Sequence, residues 1–370
     1  MKKILLITFE YPTGKSYCGG VGQIVKQCRN ILHDLGYEVY VLISSEFLKK
    51  YPVKVLYPDN SMIAYKNLQG FQKKHHWLMF DYIIQHFVNW TRELKKIKNK
   101  SGRRPTIIYH FHSILKREKD AGFKTLNHFL LNQEKMINLA DSILCPSRYE
   151  YDNFIRYFPY FDDKVTLIEN RVEIFPQMHH EIHNIKEKHS IKKDDIVSMY
   201  VGRLERIKGA HVLIKHLPYM LHKHKKLKLF IFGKVLERDI YRAYNKVKDD
   251  FPGQLYFMKY VPQHILFQYY YLSDIYINTS LSESFSLSTH ESALCNNALL
   301  LNQLPVFEKF KKAALFFSCH RNNGSEFVER FEQLINDEIL RTKLSQKAST
   351  ISKPLLSNNR LKEELTAFLN

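Results

Sequence analysis

The chain has 370 residues and a formal charge of +19. It is too long for one hydrophobic core, which rarely grows past about 250–300 residues, and its charge calls for an anionic partner: nucleic acid, a membrane surface or a phosphorylated substrate. No run of about 18 apolar residues is present, which excludes an apolar membrane-spanning helix. The five cysteines (Cys18, Cys28, Cys145, Cys295, Cys319) are odd in number and scattered without a CxxC pair. They offer neither a disulfide framework nor a cysteine zinc site and point to a reducing cytoplasm.

The opening MKKILLITFEYPTG has the charged tip of a signal peptide, but its apolar run covers only 4–9 and no small-residue cleavage site follows, so a first β-strand is expected. The loop after it leads into a helix over 21–35, closed by Gly36, and 38–44 gives the next strand. Within the loop, Thr13-Gly14-Lys15-Ser16 ends like a phosphate-binding P-loop, but Phe9 stands where the upstream glycine is required, so that reading fails. Cys18-Gly19-Gly20-Val21-Gly22 is a glycine cluster before a helix, where backbone can approach a ligand closely or simply turn tightly.

The stretch 65–104 carries ten Lys and Arg against two acids, interleaved with Phe71, Trp77, Phe80, Tyr82, Phe87 and Trp90. A helix there is basic and amphipathic, a shape suited to an anionic lipid surface or to packing on the first domain with a solvated lysine-rich end. A strand at 106–109 follows, then His110-Phe111-His112-Ser113 at its carboxyl end, the edge where open α/β sheets bind ligands. His110 and His112 are expected to face opposite ways, so His112 alone is retained, for its location. Further along, 126–139 and 148–158 read as helices and 142–145 and 165–168 as strands.

A polar His- and Lys-rich stretch, 175–195, is the expected interdomain connection, with the boundary at 176/177. A second alternation then begins: strand 197–201, helix 210–224, strand 227–232, helix 238–249, strand 255–258, helix 264–272, strand 275–277, helix 285–297 and strand 298–301. The tail 337–370 is helical with a break at Pro354. Two successive strand–helix alternations imply two doubly wound α/β domains.

The chemistry concentrates in the second half. A strand, the polar loop 278–284 and a helix start present free backbone N–H groups to an anion such as phosphate. Glu283 and Glu291 flank that anion site; carboxylates repel phosphate, so hydroxyl groups are their expected partners, and phosphate with many hydroxyls suggests a nucleotide sugar. Arg203 and Lys208, in a turn after strand 197–201, can neutralise a leaving diphosphate without a metal.

In this order the motifs resemble those of the retaining nucleotide-sugar-dependent glycosyltransferases called glycosyl transferases group 1. The resemblance covers nearly the whole chain. Gly19-Gly20-Val21 is similar to the first-loop glycine motif, His112 to the histidine after a first-domain strand, and Val201-Gly202-Arg203 with Lys208-Gly209 to the diphosphate-binding turn. Glu283 and Glu291, seven residues apart between them, resemble the paired glutamates. The family usually has glycine where Ser284 and Ser286 stand, and serine keeps the backbone N–H if no positive φ is needed. Asn170-Arg171-Val172-Glu173 replaces Asn-Gly-Val-Asp, and Leu294-Cys295-Asn296-Asn297-Ala298 replaces Ala-x-Gly-x-Pro, with Asn able to take the left-handed conformation.

The resemblance implies the GT-B fold, two Rossmann-like domains facing a central cleft: 1–176 on the acceptor side and 177–354 binding the nucleotide sugar, with a terminal helix at about 355–370 packing back on the first. It implies a metal-independent, cofactor-free transfer of a sugar, with retention, from a nucleotide diphosphate sugar (a UDP-sugar is expected) to a glycan hydroxyl in bacterial cell-envelope assembly: lipopolysaccharide, capsule or a lipid-linked glycan. His112 and Glu283 then contact the donor sugar, Arg203 and Lys208 the diphosphate, Glu291 the ribose, and the amides of Ser284, Phe285, Ser286, Leu287 and Ser288 the phosphates, with Gly20 near the reaction centre. The expected location is the cytoplasm, with 65–104 as a candidate contact to the inner membrane face. Two rival readings are a catalytically silent GT-B partner and, from charge and aromatics alone, a nucleic-acid-binding protein; no nucleic-acid partner is expected.

Overall fold

A computed structural model describes residues 1–12, 18–44, 52–88, 90–258, 260–319, 324–356 and 358–369. The P-loop-like tetrapeptide 13–16 lies outside them. The chain divides into two units, Met1–Arg171 with Ser357–Asn370, and Val172–Leu356. The division falls after Arg171, ahead of the 176/177 boundary expected from composition.

The first unit carries strands β1 (Lys3–Thr8), β2 (Glu38–Ile43), β3 (Val53–Leu56), β4 (Met62–Tyr65), β5 (Tyr82–Gln85), β6 (Thr106–His110), β7 (Ser142–Cys145) and β8 (Val165–Leu167), in the sheet order β4-β3-β2-β1-β5-β6-β7-β8. From β2 through β8 neighbours run parallel, whereas β3 and β4 form an antiparallel hairpin on the edge. Ile4, Leu5, Leu6 and Ile7 are all buried, the continuous apolar run expected of a parallel strand covered on both faces. The first helix, Gly20–Asp34, covers one face and ends at Gly36, whose φ of +86° reverses the chain.

The second unit is an all-parallel sheet of β9 (Ile196–Val201), β10 (Leu227–Phe232), β11 (Leu255–Met258), β12 (Ile275–Asn278), β13 (Ala298–Asn302) and β14 (Ala314–Phe317), in the order β11-β10-β9-β12-β13-β14. The order reverses between β9 and β12, so the loops leaving their carboxyl ends open a crevice, the ligand-binding position of doubly wound sheets.

The last helix, Asn358–Leu369, belongs to the first unit. Its Leu361, Leu365 and Leu369 pack against Ile4, Leu6, Val25 and Leu32. Fully buried Arg171 donates to Glu364 of that helix (2.8 Å) and to the Glu169 carbonyl (2.9 Å), so a charge at the end of the unit pins the returning segment.

One expectation is corrected. The stretch 65–104 is not a basic amphipathic helix: it contains the short helices Leu68–Lys74 and Thr91–Lys98 and, between them, the central strand β5. Phe71, Trp77, Phe80 and Trp90 are buried in the core of the unit, so they are unavailable to lipid or to bases, while Lys66, Lys73, Lys74, Arg92, Lys95, Lys96, Lys100 and Arg103 stay exposed. The apolar residues serve the core and the charges are a solvated face. No described helix is long and apolar enough to cross a membrane.

Candidate active site

In the second unit, the loop after β9 contains Arg203 and Lys208 and ends at Gly209, and the loop after β12 contains Glu283. The Tyr200 hydroxyl donates to the carbonyls of Arg203 and Lys208, both at 3.3 Å. The Thr279 hydroxyl donates to the Lys208 carbonyl at 2.9 Å, and the Leu281 N–H to that of Ile207 at 2.8 Å, so the two loops are laced together. This lacing brings Lys208 Nζ within 2.8 Å of Glu283 Oε1, which also accepts from the Ser280 hydroxyl at 2.7 Å. Arg203, with a half-exposed side chain, pairs instead with Glu205 at 2.9 Å.

The helix expected over 285–297 begins two residues later, Leu287–Leu294, with Ser286 as its N-cap. Ser286 sits at φ +66°, so this position does require the left-handed conformation that glycine adopts without strain. The condition that no positive φ be needed is therefore not met. Local bonds hold the serine there: its hydroxyl lies 2.8 Å from that of Thr289 and accepts from Asn278 Nδ2 at 3.2 Å. The helix keeps first-turn amides with no intrahelical acceptor, an anion-binding feature whether serine or glycine precedes it. At the other end Asn296 takes φ +61°, filling the left-handed position as glycine would.

The remaining candidates separate by role. Phe285 is buried with Val172 and Leu355, so its ring is core and only its backbone can serve a ligand. Leu287 packs beside that cluster, and the Ser288 hydroxyl accepts from Tyr276 at 2.7 Å. Glu291 does not join the Lys208–Glu283 pair. Its carboxylate accepts from Gln263 Nε2 at 3.1 Å and the Tyr270 hydroxyl at 2.9 Å, two fixed partners that sequence spacing does not disclose.

Burial pushes the Glu291 carboxyl up to about 7, partly opposed by those two hydrogen bonds. A carboxyl raised in the folded state from its ordinary 4.5 leaves stability undiminished below that value and removes it as pH rises through 7. Glu291→Gln, which mimics the protonated form, should match the parent near pH 5 and exceed it at pH 8 by up to about 3 kcal/mol. Melting curves of the two proteins at both pH values check this; an equal difference at both would refute it.

In the first unit, Gly20 opens the first helix, and the carboxylate of Glu10 accepts from the N–H groups of Gly19 (3.1 Å) and Gly22 (3.0 Å). A protein carboxylate thus occupies the anion-binding end of that helix. His112 is found with two other imidazoles. His86 follows β5, His110 ends β6, and His86 Nδ1 lies 3.2 Å from His112 Nε2. The expectation that His110 and His112 face apart is wrong, because residues two apart in extended chain share a face; their ring centroids are 4.8 Å apart. Burial drives all three pKa values down, that of His110 to about 4, so the rings are neutral.

Residues 181–350 match the family described as Glycosyl transferases group 1, and residues 18–174 match Glycosyltransferase Family 4, so each unit is matched over most of its length. The chain is 23% identical over 385 aligned residues to the alpha-monoglucosyldiacylglycerol synthase of Acholeplasma laidlawii, covering 95% of this chain and 93% of that protein. Among solved structures it is similar to sucrose-phosphate synthase from Thermosynechococcus elongatus (TM-score 0.80, 13% identity, 100% and 98% of the two chains). It is also similar to Anabaena Alr3699/HepE in complex with UDP and glucose (TM-score 0.72, 14% identity, 100% and 99%). These structures share its pair of doubly wound α/β units, and the two family matches, one on each unit and in order along the chain, support a group 1 glycosyltransferase of the GT-B fold.

Proposed function

We propose that this protein moves a sugar from a nucleotide diphosphate sugar, a UDP-sugar first, to a hydroxyl of a membrane-bound glycolipid acceptor, with retention at the anomeric carbon and without a metal or other cofactor. The observation that carries the reading is the crevice between β9 and β12, where Lys208 is held on Glu283 beside the amides of the Leu287 helix start. Lys208 and Arg203 are cations placed for a diphosphate, and an ammonium with three donors can keep Glu283 while meeting a phosphate oxygen. Glu283 is left facing the donor sugar. Glu291, on Tyr270 and Gln263, is suited to accept from ribose hydroxyls.

In the mechanism that fits these groups, diphosphate departure is assisted by Arg203, Lys208 and the helix amides, which stabilise the charge developing on the leaving group. The acceptor hydroxyl attacks from the face the leaving group vacates, and a phosphate oxygen takes its proton. No protein carboxylate acts as nucleophile, unlike the paired carboxylates of retaining glycosidases. Gly20 and His112, both after strands of the first unit, are proposed for the acceptor and donor-sugar sides.

A glycolipid acceptor is supported by the similarity to the alpha-monoglucosyldiacylglycerol synthase of Acholeplasma laidlawii, and UDP by the ligand of the Anabaena structure. The exposed lysines and arginines of 65–104 add a reason for a surface contact: each basic residue near anionic lipid contributes about 1 kcal/mol, without apolar insertion. One experiment tests both parts. Purified protein is given UDP-glucose with acceptor glycolipid in zwitterionic or anionic vesicles, in the presence of a chelator. An α-linked product from the α-donor, formed faster on anionic vesicles and slowed by salt, is expected. An inverted product or abolition by chelator would refute the mechanism, and equal rates on both vesicles would remove the electrostatic surface contact.

A further inference from the structure

We propose that His86, His110 and His112 form a three-imidazole site for a divalent first-row transition metal, Zn2+ foremost, with an open fourth position. β5 and β6 are adjacent and parallel, so residues leaving their carboxyl ends converge. The three ring centroids are mutually 4.8, 4.9 and 5.4 Å apart, and one ring nitrogen of each lies within 4.8 Å of the others. Tetrahedral zinc, with bonds of about 2.0–2.1 Å to nitrogen, sets its ligand atoms about 3.4 Å apart. His86 Nδ1 and His112 Nε2 already stand at 3.2 Å, and a modest rotation of His110 would complete the triangle.

Hydrogen bonding supports a ligand. His86 and His110 are 1% and 4% exposed, and neither nitrogen of His110, nor Nε2 of His86, has a hydrogen-bond partner among the described residues. A buried imidazole with both nitrogens unbonded, as His110 is, is costly, and three imidazoles turned on one another with no carboxylate in the cluster among the described residues make little sense as simple packing. Imidazoles alone favour Zn2+, Co2+, Ni2+ or Cu2+ and give no purchase to Mg2+ or Ca2+, so this site is chemically distinct from any ion carried by a diphosphate. His112 is partly exposed and opens the cluster toward solvent, where the fourth position would lie. Occupancy would engage His112 Nε2, so metal should inhibit transfer; that consequence, unlike the binding itself, rests on the donor-side role proposed for His112.

The test is titration of the whole protein with Co2+ and Zn2+. One Co2+ per chain with the intense visible spectrum of a tetrahedral nitrogen-ligated ion is expected, with three imidazoles in its X-ray absorption spectrum. His86→Gln and His110→Gln should each weaken Zn2+ binding at least about 100-fold, beyond the 10–100-fold typical of losing only an outer partner. Removing exposed His179 and His183 together should change nothing. A pale octahedral Co2+ spectrum, unchanged Zn2+ affinity in the His110 variant, or loss of binding with His179 and His183 would overturn the site. If a variant fails to fold, the wild-type spectra decide alone. Binding without inhibition would leave the metal site standing and refute the donor contact of His112.

Discussion

Lys208→Ala is expected to lower turnover at least about 100-fold, the effect of losing one preorganised contact to developing transition-state charge. The lysine leaves strand β9 in a loop fixed from three sides: by the Tyr200 and Thr279 hydroxyls on its own carbonyl and by Glu283 on its ammonium. Its side chain is mostly buried, so a phosphate oxygen arriving there meets a charge only weakly screened by water. A structural ion pair of this kind would also cost stability when broken, because Glu283 would be left with only Ser280 among its recorded partners. The two roles separate in measurement. If Lys208 only supports Glu283, Lys208→Ala will lower the melting temperature and, added to Glu283→Gln, will slow turnover no further than Glu283→Gln does alone. If Lys208 stabilises the leaving diphosphate, turnover falls in both backgrounds while stability recovers. Arg203→Ala should have a smaller effect, since that guanidinium is half-exposed and already held by Glu205. Near-normal turnover of Lys208→Ala would end the role assigned to it.

What the sequence disclosed about this site follows from the range of the interactions. The strand–loop–helix around 275–301 is legible because a four-residue apolar strand, a polar loop and a helix are each local patterns, and the order of Arg203, Lys208, Glu283 and Glu291 survives in any fold that alternates strands and helices. The partners are not legible. Tyr270 and Gln263 reach Glu291 only because a preceding helix lies beside it, and Ser280 reaches Glu283 through a loop whose course is set by its contacts with the β9 loop. His86 is hidden for the same reason: it directly follows β5, a four-residue strand embedded in basic and aromatic sequence, whose character is overridden by its position at the centre of the first sheet. The hairpin β3–β4, strand β14 and the helix His179–Lys188 were concealed by shortness or weak periodicity. Ser286 is a different case. A serine at φ +66° is locally unfavourable, so propensity argues against the conformation, and only the Asn278 and Thr289 contacts explain it.

Gly209→Ala is expected to destabilise the second unit by at least about 4 kcal/mol, a size reserved for severe backbone or packing conflict. Gly209 takes φ +65°, and a Cβ there would lie 1.8 Å from the carbonyl oxygen of Thr279 and 2.6 Å from its carbon. Both atoms belong to backbone that leads from β12 to Glu283, so neither can yield by rotating a side chain. Gly253→Ala is the matched control: its φ is +76°, but a Cβ there would meet nothing within 4 Å. That variant carries the left-handed strain alone, about 1–2 kcal/mol. The difference between the two melting shifts therefore isolates the close approach of the β9 and β12 loops. It should also appear in catalysis, because pushing these backbones apart separates the Lys208 carbonyl from Thr279 and its ammonium from Glu283. Gly209→Ala should lose donor binding at temperatures where it is still folded, and Gly253→Ala should keep it. Equal shifts in the two variants would mean that the loops are not in contact, and the placement of Lys208 on Glu283 would fall with it.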